Sequence, residues 1–342
     1  MAKTRIAVIG LGMASAPHAK SLADLAGRVE VAYAYSLTEA RRAAFAQQFG
    51  FPVSGDLDAI FADKTVGAVM LLTPPSTHLD LVRRAANAGK HILLEKPIEI
   101  GIERAEELVA AAERAGVTLG VVLQHRFKSA SAALAKLLAE GRFGDIVGAS
   151  ARTYNWRPQS YYDQPGRGTR ARDGGGVLLT QAIHTLDLLI SLAGLPKAVC
   201  AFAATSAVHR METEDIVAGG LRYANGAIGT VSATTCAYPG FPDRIDIIGT
   251  KGTAMIEGTA LKVAFHDGTA LAIGAEAGPG GAGADPMAFS HEDHRSVLTD
   301  FLDAVEGGRE PKISGREALK VHWLIEALLR SAKSGRAEAV AE

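Results

Sequence analysis

Residues 5–15 of the chain read RIAVIGLGMAS, a short apolar run followed by a glycine-rich turn. The run Arg5–Ile9 has the composition of a buried strand, and the residues after the turn predict a helix. In such a strand–turn–helix unit, Gly10 permits the tight turn and Gly12 lets a pyrophosphate approach the backbone. The N-terminus of the helix offers unpaired N–H groups to the phosphates. The stretch therefore predicts a dinucleotide-binding turn at the first strand of a parallel α/β sheet.

The alternation of strand and helix continues to residue 125. Further strands are predicted at Val29–Tyr35, Val66–Leu72, Ile92–Leu94 and Val117–Gln124, with helices between them. This number of β/α units is that of a dinucleotide-binding Rossmann domain, which we place at residues 1–125.

The second half of the chain has a different pattern. One long apolar helix is predicted at Val177–Ala193, and short strands separated by turn signals such as Asn225-Gly226 follow it. Short strands joined by tight turns are typical of an antiparallel sheet. We therefore expect an α+β domain at residues 126–342, with the last helix a candidate to pack back on the first domain.

The composition excludes several classes of function. The formal net charge is −1, with 48% hydrophobic and 21% charged residues, so no bulk attraction to nucleic acid or to a membrane is expected. No apolar run approaches the roughly 20 residues that span a bilayer, and no signal peptide is recognised, so we expect a cytoplasmic protein. Cys200 and Cys236 are expected to be buried free thiols outside any Cys/His cluster. His291 and His294 are interpreted as a polar helix start, so no metal site is expected.

The end of the second strand indicates which dinucleotide binds. An acidic residue about 20 positions past the glycines normally binds the adenosine ribose of NAD, and Tyr35-Ser36 stands in its place here. Without a carboxylate to repel it, a 2′-phosphate could bind Ser36 and an arginine of the next helix, Arg41 or Arg42. This predicts NADP, with NAD as the alternative. Solvated helix arginines are the other interpretation of Arg41 and Arg42.

Residues 91–97 read HILLEKP, a buried strand that ends in a carboxylate, an amine and a proline. Parallel sheets place their chemistry just beyond the carboxyl ends of their strands. Pro97 biases Lys96 away from helical geometry, so we expect the lysine to be held on a turn. Lys96 is therefore a candidate catalytic residue, and Glu95 a candidate anchor for its loop.

Two polar features of the second domain are candidates for substrate contacts. Thr180, His184 and Asp187 recur at helical spacing, which predicts one polar face looking into a cleft. Histidine is suited to proton transfer near neutral pH. Upstream, residues 156–172 are rich in aromatic and basic side chains, which suit sugars and their phosphates. A surface loop with solvated arginines is the alternative interpretation of that segment.

Several motifs together resemble the glucose–fructose oxidoreductase / inositol 2-dehydrogenase / MocA (Gfo/Idh/MocA) family. They are Thr73-Pro74 with His78, the run Ala88–His91, Glu95-Lys96-Pro97 and Arg126-Phe127, in the family's order and spacing. Downstream, Gly174–Gly176, His184 and Asp187 match, whereas Thr180 stands where the family often has aspartate. The resemblance covers nearly the whole chain. It implies a large, open, mostly antiparallel sheet in a substrate-binding and oligomerisation domain, and a homodimer or homotetramer formed through that sheet.

The resemblance also implies roles for individual residues. Lys96 would be the catalytic or orienting group, and His184 its acid–base partner. Together with the local patterns it gives the cofactor candidates Gly10, Gly12, Met13, Ala14, Ser36, Arg41, Thr73, Pro74, His78, Glu95, Lys96 and Arg126. The substrate candidates are Lys96, Arg126, Trp156, Arg157, Tyr161, Thr180 and His184.

The expected activity is hydride transfer between NAD(P) and a secondary alcohol or carbonyl of a sugar, cyclitol or nucleotide-sugar derivative. The segment from Tyr161 to His184 resembles members that oxidise nucleotide-activated amino sugars. Two alternatives stay open at this point. One is a reductase of dicarbonyl sugars or aldehydes, and the other is a catalytically silent NADP-binding sensor.

Overall fold

The structure is a computed structural model that describes residues 3–274 and 290–341. It divides into two compact units, and each is described by itself. Among the described residues, the first unit holds 3–124 and 290–319, and the second holds 125–274 and 320–341. The sequence predicted a single boundary at residue 125. The structure differs because residues 290–319 belong to the first unit. The last helix, Gly315–Ser334, begins in the first unit and ends in the second.

Strands and helices alternate regularly in the first part of the chain. The elements are β1 (Thr4–Ile9), α1 (Ser15–Asp24), β2 (Val29–Tyr35), α2 (Glu39–Phe49), β3 (Val53–Ser54), α3 (Leu57–Ala62), β4 (Ala68–Leu71), α4 (His78–Asn87), β5 (His91–Glu95), α5 (Ile102–Arg114) and β6 (Leu119–Val122). The six strands form one parallel sheet in the order β3-β2-β1-β4-β5-β6. The strand order reverses between β1 and β4, which is where such sheets bind dinucleotides.

The central strands of this sheet are buried on both faces, which explains their unbroken apolar sequences. Every residue of β4 is buried, and so are Ile92, Leu93 and Leu94 of β5.

The second part of the chain contains α6 (Ser129–Ala139), β7 (Ile146–Tyr154), α7 (Gln159–Tyr162), α8 (Arg170–Asp173), α9 (Ile183–Ala193), β8 (Ala198–Ala204), β9 (Ile216–Arg222), β10 (Ile228–Thr234), β11 (Arg244–Gly249), β12 (Gly252–Glu257), β13 (Ala260–Phe265) and β14 (Ala270–Ile273). The last described residues add α10 (Glu292–Gly307), α11 (Gly315–Ser334) and β15 (Glu338–Ala339). Helix α10 belongs to the first unit and β15 to the second.

Nine strands form the second sheet, in the order β14-β13-β12-β11-β7-β10-β9-β8-β15. Their pairings are antiparallel except for β7 with β10. Helix α9 packs against β7 and β11 on one face. Residues on β7 alternate accordingly, with Ala149, Ala151 and Thr153 buried and their neighbours partly exposed. The predicted fold class is confirmed.

Some local predictions needed correction. The helix predicted at 177–193 begins with a π-helical turn, Leu178–Ala182, before α9. Strands β14 and β15 were not predicted, because each is short and pairs only at a sheet edge. Cys200 is exposed and Cys236 is half-buried, contrary to the expected burial of both thiols.

One helical stretch of the described chain, Arg170–Ala193, is long and apolar enough to cross a membrane by length and composition. Of the apolar window, 72% is buried in the protein, as is typical of a core helix. The cytoplasmic location stays a prediction.

Candidate active site

The glycine turn after β1 has the geometry that the sequence predicted. Gly10 has a φ of 106°, and a Cβ there would lie 2.8 Å from the backbone carbonyl of Leu72, at the end of β4. At Gly12, by contrast, no described atom lies within 4 Å of such a Cβ. Ser15 closes the turn by donating its hydroxyl to the Gly12 carbonyl at 2.7 Å. The backbone at Gly12, Met13 and Ala14 thus borders open space before the N-terminus of α1, which fits a dinucleotide pyrophosphate.

The end of β2 carries Ser36, which is 8% exposed. Arg42 donates its Nη1 to the carbonyl oxygens of Ser36, at 2.6 Å, and Leu37, at 3.1 Å. Arg41 is exposed, and its side chain makes no hydrogen bond with another described residue. Arg42 therefore fixes the backbone of this turn, and Arg41 is the arginine left available to a ligand.

His78 links two turns at the carboxyl edge of the first sheet. The ring is fully buried, and its Nε2 lies 2.8 Å from the Thr73 carbonyl oxygen. Its Nδ1 lies 3.0 Å from the Ile98 carbonyl oxygen and 3.1 Å from that of Pro97. Burial lowers the pKa of His78 despite these contacts. Sequence reasoning placed His78 in contact with the cofactor, whereas both ring nitrogens face backbone carbonyls that hold the Thr73-Pro74 turn beside the Lys96-Pro97 turn.

Lys96 is half-buried at the turn after β5, and its peptide bond to Pro97 is cis. The carboxylate of Glu95 holds this turn, because its Oε2 accepts the Lys96 backbone N–H at 3.0 Å. Its Oε1 lies 2.8 Å from Nε2 of His18, on α1. Burial raises the pKa of Glu95, but the hydrogen bond and charge of His18 and the charge of Lys96 lower it by more, so the carboxyl is ionised.

His294, on α10, covers the His18 side of this cluster. The two imidazoles meet edge to face, with ring centroids 5.0 Å apart. Burial, followed by the charge of His18, lowers the pKa of His294 to about 4, so its ring is neutral at pH 7. The sequence analysis interpreted His294 as part of a polar helix start. Its burial was not visible, because its neighbours lie far away in the chain.

Arg126 and Asp187 form a buried ion pair within the second unit. Nε of Arg126 donates to Asp187 Oδ2 at 2.8 Å, and Nη2 donates to Oδ1 at 2.6 Å. The side chains are 6% and 0% exposed. Two parallel bonds of this kind are the strongest geometry for an arginine and a carboxylate. The predicted polar face of the helix is therefore wrong for Asp187, which points into the protein because Arg126 neutralises it there.

His184 and Thr180 are the two predicted helix residues that remain partly exposed. The His184 ring stacks on His125, with centroids 4.9 Å apart and planes tilted by 33°. The Thr180 hydroxyl donates to the Gly176 carbonyl at 2.7 Å. The sequence analysis assumed regular α-helical spacing between Thr180 and His184. The π-helical turn Leu178–Ala182 interrupts that spacing.

Two arginines surround Tyr161. Arg167 donates to the Tyr161 hydroxyl at 2.6 Å and lies 4.3 Å from its ring centroid. The buried Arg157 donates to Gln181 Oε1 at 2.9 Å and lies 5.7 Å from the same ring. Burial lowers the pKa of Arg157, and the charge of Arg167 adds to the effect. No carboxylate of the described chain pairs with Arg167, so an ion pair does not neutralise its charge there.

Trp156 precedes this cluster and is half-buried. Its ring meets Tyr238 edge to face, with centroids 5.5 Å apart.

Asp215 is linked to the Arg157 backbone through His209. This fully buried carboxylate accepts the backbone N–H and the hydroxyl of Ser206, His209 Nδ1 at 2.8 Å, and the Cys236 thiol at 3.2 Å. Burial raises the pKa of Asp215, and these hydrogen bonds lower it by more. His209 Nε2 in turn lies 2.8 Å from the Arg157 carbonyl oxygen. Cys236 was expected outside any such cluster. The structure corrects this, since the pairing of β9 with β10 brings distant residues together.

Among the described residues, two groups have the composition of metal sites: His18, Glu95 and His294, and His209, Asp215 and Cys236. In each group the ligand atoms lie within 4.8 Å of one another. Each contains a histidine–carboxylate contact of 2.8 Å, which is the distance of a direct hydrogen bond. The geometry is accounted for by hydrogen bonds alone, and the absence of a metal stays a prediction.

Comparison with known proteins places the chain in a family. Residues 4–123 match an oxidoreductase family with an NAD-binding Rossmann fold, and residues 131–255 match the Gfo/Idh/MocA C-terminal domain. The chain belongs to the Gfo/Idh/MocA family. The predicted resemblance is confirmed, and the protein is an NAD-binding oxidoreductase.

Several Gfo/Idh/MocA relatives match over nearly the whole chain. Inositol 2-dehydrogenase of Rhizobium meliloti (strain 1021) is 28% identical, over 98% of this chain and 99% of its own. The 1,5-anhydro-D-fructose reductase of Ensifer adhaerens is 30% identical, over 90% of each chain. The structure of the WlbA dehydrogenase from Bordetella pertussis, in complex with NADH and UDP-GlcNAcA, aligns with a TM-score of 0.87 at 29% identity, covering 99% of this chain and 98% of that one.

Proposed function

We propose that this Gfo/Idh/MocA protein interconverts a secondary alcohol and a carbonyl on a sugar-like substrate, with Lys96 and His184 as its catalytic residues. The observation that carries the proposal is the Lys96 turn. A lysine stands at the carboxyl end of β5, and a buried, ionised carboxylate holds its backbone. Active sites of parallel α/β sheets lie at this edge. The fixed backbone sets the point from which the half-buried Lys96 side chain extends.

The nicotinamide cofactor supplies the hydride acceptor or donor when it is bound. Gly10, Gly12, Met13 and Ala14 would hold its pyrophosphate, since the open space at Gly12 fits that group. The chain itself has to orient the hydroxyl and move its proton. In our proposal Lys96 orients the reacting oxygen and His184 exchanges the proton, as the partial exposure of both side chains allows.

The substrate class follows from the relatives and from the Tyr161 cluster. The relatives named above act on or bind a cyclitol, an anhydro-sugar and a nucleotide-linked sugar acid. Arg167, which is half-buried and lies 4.3 Å from the Tyr161 ring centroid, would suit a sugar derivative that carries a carboxylate or phosphate. We therefore propose an anionic sugar derivative, with Trp156, Thr180 and Gln181 as further contacts. The relative named a reductase keeps carbonyl reduction as the second candidate.

We propose NADP as the preferred form of the cofactor. Ser36 replaces the usual acid at the end of β2, and Arg41 is exposed on α2, the helix that follows. The relative from Bordetella pertussis was solved with NADH, which keeps NAD as the alternative. Fluorescence titration with NADPH and NADH decides between them. Arg41→Ala is expected to weaken NADPH selectively, and tighter binding of NADH by the natural protein would contradict the proposal.

A homo-oligomer formed through the second sheet is also proposed. The face of this sheet away from α9 exposes Phe202, Ile228 and Ile248, which are 78%, 67% and 46% exposed. The strand registers place all three on the same side. Exposed apolar surface of this kind is typical of protein interfaces. Phe202→Glu should reduce the mass measured by light scattering, and a monomeric natural protein would contradict the proposal.

The central test of the proposed function is Lys96→Ala. Turnover would be screened with NAD⁺ and NADP⁺ on myo-inositol, levoglucosan and UDP-GlcNAcA, and cofactor binding by fluorescence. We expect turnover to fall by about 10³-fold while cofactor affinity changes little. Lys64→Ala, at an exposed loop lysine, is the matched control. Normal turnover by Lys96→Ala would refute the proposed role, and cofactor binding without turnover on any sugar would favour a sensor.

A further inference from the structure

Glu95 is a bridge between the Lys96 turn and helix α1. One carboxylate oxygen accepts the Lys96 backbone N–H at 3.0 Å, and the other faces Nε2 of His18 at 2.8 Å. Both oxygens are thus engaged, and the group is buried. A buried carboxylate that lost one of these donors would be left with an unsatisfied oxygen, which is a strong reason for it to reorient.

His18 is buried on helix α1, which is itself attached to helix α10. Its ring is 1% exposed, and helix α1 carries it only a few residues beyond the glycine turn. Helix α10 is bound to α1 through Asp24, whose carboxylate pairs with His291 at 2.8 Å and Arg295 at 2.9 Å. Ser21 adds a hydroxyl hydrogen bond to the His291 carbonyl at 3.3 Å. The His18 ring therefore has little freedom to move relative to β5.

The proton positions on His18 follow from its partner. Glu95 is an ionised acceptor, so His18 Nε2 must carry the proton of the 2.8 Å contact. His18 Nδ1 has no hydrogen-bond partner within the described chain. Of the two ring nitrogens, only Nε2 has a hydrogen-bond partner among the described residues, so the contact with Glu95 is the polar function of the imidazole.

We propose that His18 is a positioning residue for Lys96: through Glu95, it fixes the backbone turn from which the lysine side chain reaches the substrate. His294 shields the contact from water, as its buried ring lies against His18. This inference rests on the proposed catalytic role of Lys96. It also means that the helix whose N-terminus would receive the cofactor pyrophosphate is the one that fixes the lysine turn.

The test compares substitutions that differ in reach. Glutamine places an amide donor close to where histidine has Nε2, whereas asparagine ends one methylene short and leucine has no donor. His18→Gln should therefore preserve the link to Glu95, and His18→Asn and His18→Leu should break it. His291→Gln is the matched control, because it alters a histidine at the same pair of helices without touching Glu95, and the glutamine amide can still donate to Asp24. Asparagine serves where leucine disturbs folding.

The main readout is the separate measurement of kcat and KM, on whichever substrate of the Lys96→Ala screen the natural protein turns over. We expect His18→Asn and His18→Leu to lower kcat by about 10- to 100-fold, with KM and the NADH dissociation constant within about threefold, since small misplacements of catalytic groups cost this much. His18→Gln should stay within about threefold of the natural kcat, and His291→Gln within about twofold. Loss of thermal stability with unchanged kcat, or a glutamine variant as slow as asparagine, overturns the proposal.

A second readout does not depend on turnover. Lysines are methylated reductively with ¹³C-formaldehyde, and the Lys96 signal is the one missing from Lys96→Arg. We expect this signal to shift or broaden in His18→Asn and to be restored in His18→Gln. An identical signal in all variants overturns the positioning role. If no sugar is turned over at all, the proposed function fails, and this measurement still decides whether His18 positions Lys96.

Discussion

Replacing Asp187 with asparagine is expected to destabilise the second unit by about 3–5 kcal/mol, because the Arg126 guanidinium then stays charged and buried without its carboxylate. The magnitude follows from the geometry. The two side chains are 6% and 0% exposed and share hydrogen bonds of 2.8 and 2.6 Å, so water cannot replace either partner. Removal of both charges is a different perturbation. The double variant Arg126→Met with Asp187→Leu should recover most of the loss.

The assay uses the tryptophans as local reporters. Both tryptophans of the chain, Trp156 and Trp323, lie in the second unit, so their fluorescence follows the unit that contains the ion pair. With a slope of about 2–3 kcal/mol per molar urea, the expected loss moves the unfolding midpoint of Asp187→Asn down by about 1–2 M. The unfolding midpoint of Arg126→Met should fall by a similar amount, and the midpoint of the double variant should lie closer to that of the natural protein.

Two outcomes would refute this reasoning. A midpoint for Asp187→Asn within about 0.3 M of the natural protein would mean that the ion pair contributes little to stability. A large loss of kcat with unchanged stability would show that Asp187 instead orients His184, the residue proposed to transfer the proton. The predicted cost and the recovery in the double variant together identify a structural ion pair.

Further predictions concern the first unit. The pKa of His294, lowered to about 4, favours its neutral ring in the folded state, so stability is full above pH 6.5 and falls as the pH drops toward 4. At pH 5 the loss is about 2 kcal/mol, seen as faster hydrogen exchange in α10 peptides and absent from His294→Phe. Gly10→Ala should destabilise the unit because its Cβ meets the Leu72 backbone, as thermal melting would show. Gly12→Ala should melt normally but weaken NADPH binding in a fluorescence titration.

Local patterns were sufficient where neighbouring residues determine the geometry. The turn at Gly10 and the strand that ends at Lys96 follow from short runs of sequence, because glycine conformation and buried apolar runs are local properties. The contacts of His18 could not be predicted in this way. Its partner Glu95 is 77 positions away, and only the parallel order of the strands brings the two side chains together.

The same limit explains the wrong prediction for Asp187. A carboxylate on an apolar helix was expected to face a cleft, since burial of an unpaired charge costs several kcal/mol. That expectation holds only if no cation is available inside the protein. Arg126 lies 61 positions away in the sequence, and helix periodicity gives no information about it. A buried position for an acid can be inferred from sequence only together with its partner.

The candidate residues differ in burial, and the difference separates residues that hold other parts of the protein from residues that can meet a ligand. His78, Glu95 and Arg126 are buried and use their polar atoms on partners within their own unit, so a ligand could reach them only by breaking those bonds. Lys96 and His184 are half-buried, and their side chains keep contact with solvent. A partly exposed group can meet a ligand at the surface that it already presents to solvent. Substitutions of the first three residues should therefore change stability and position, whereas substitutions of the last two should change turnover directly.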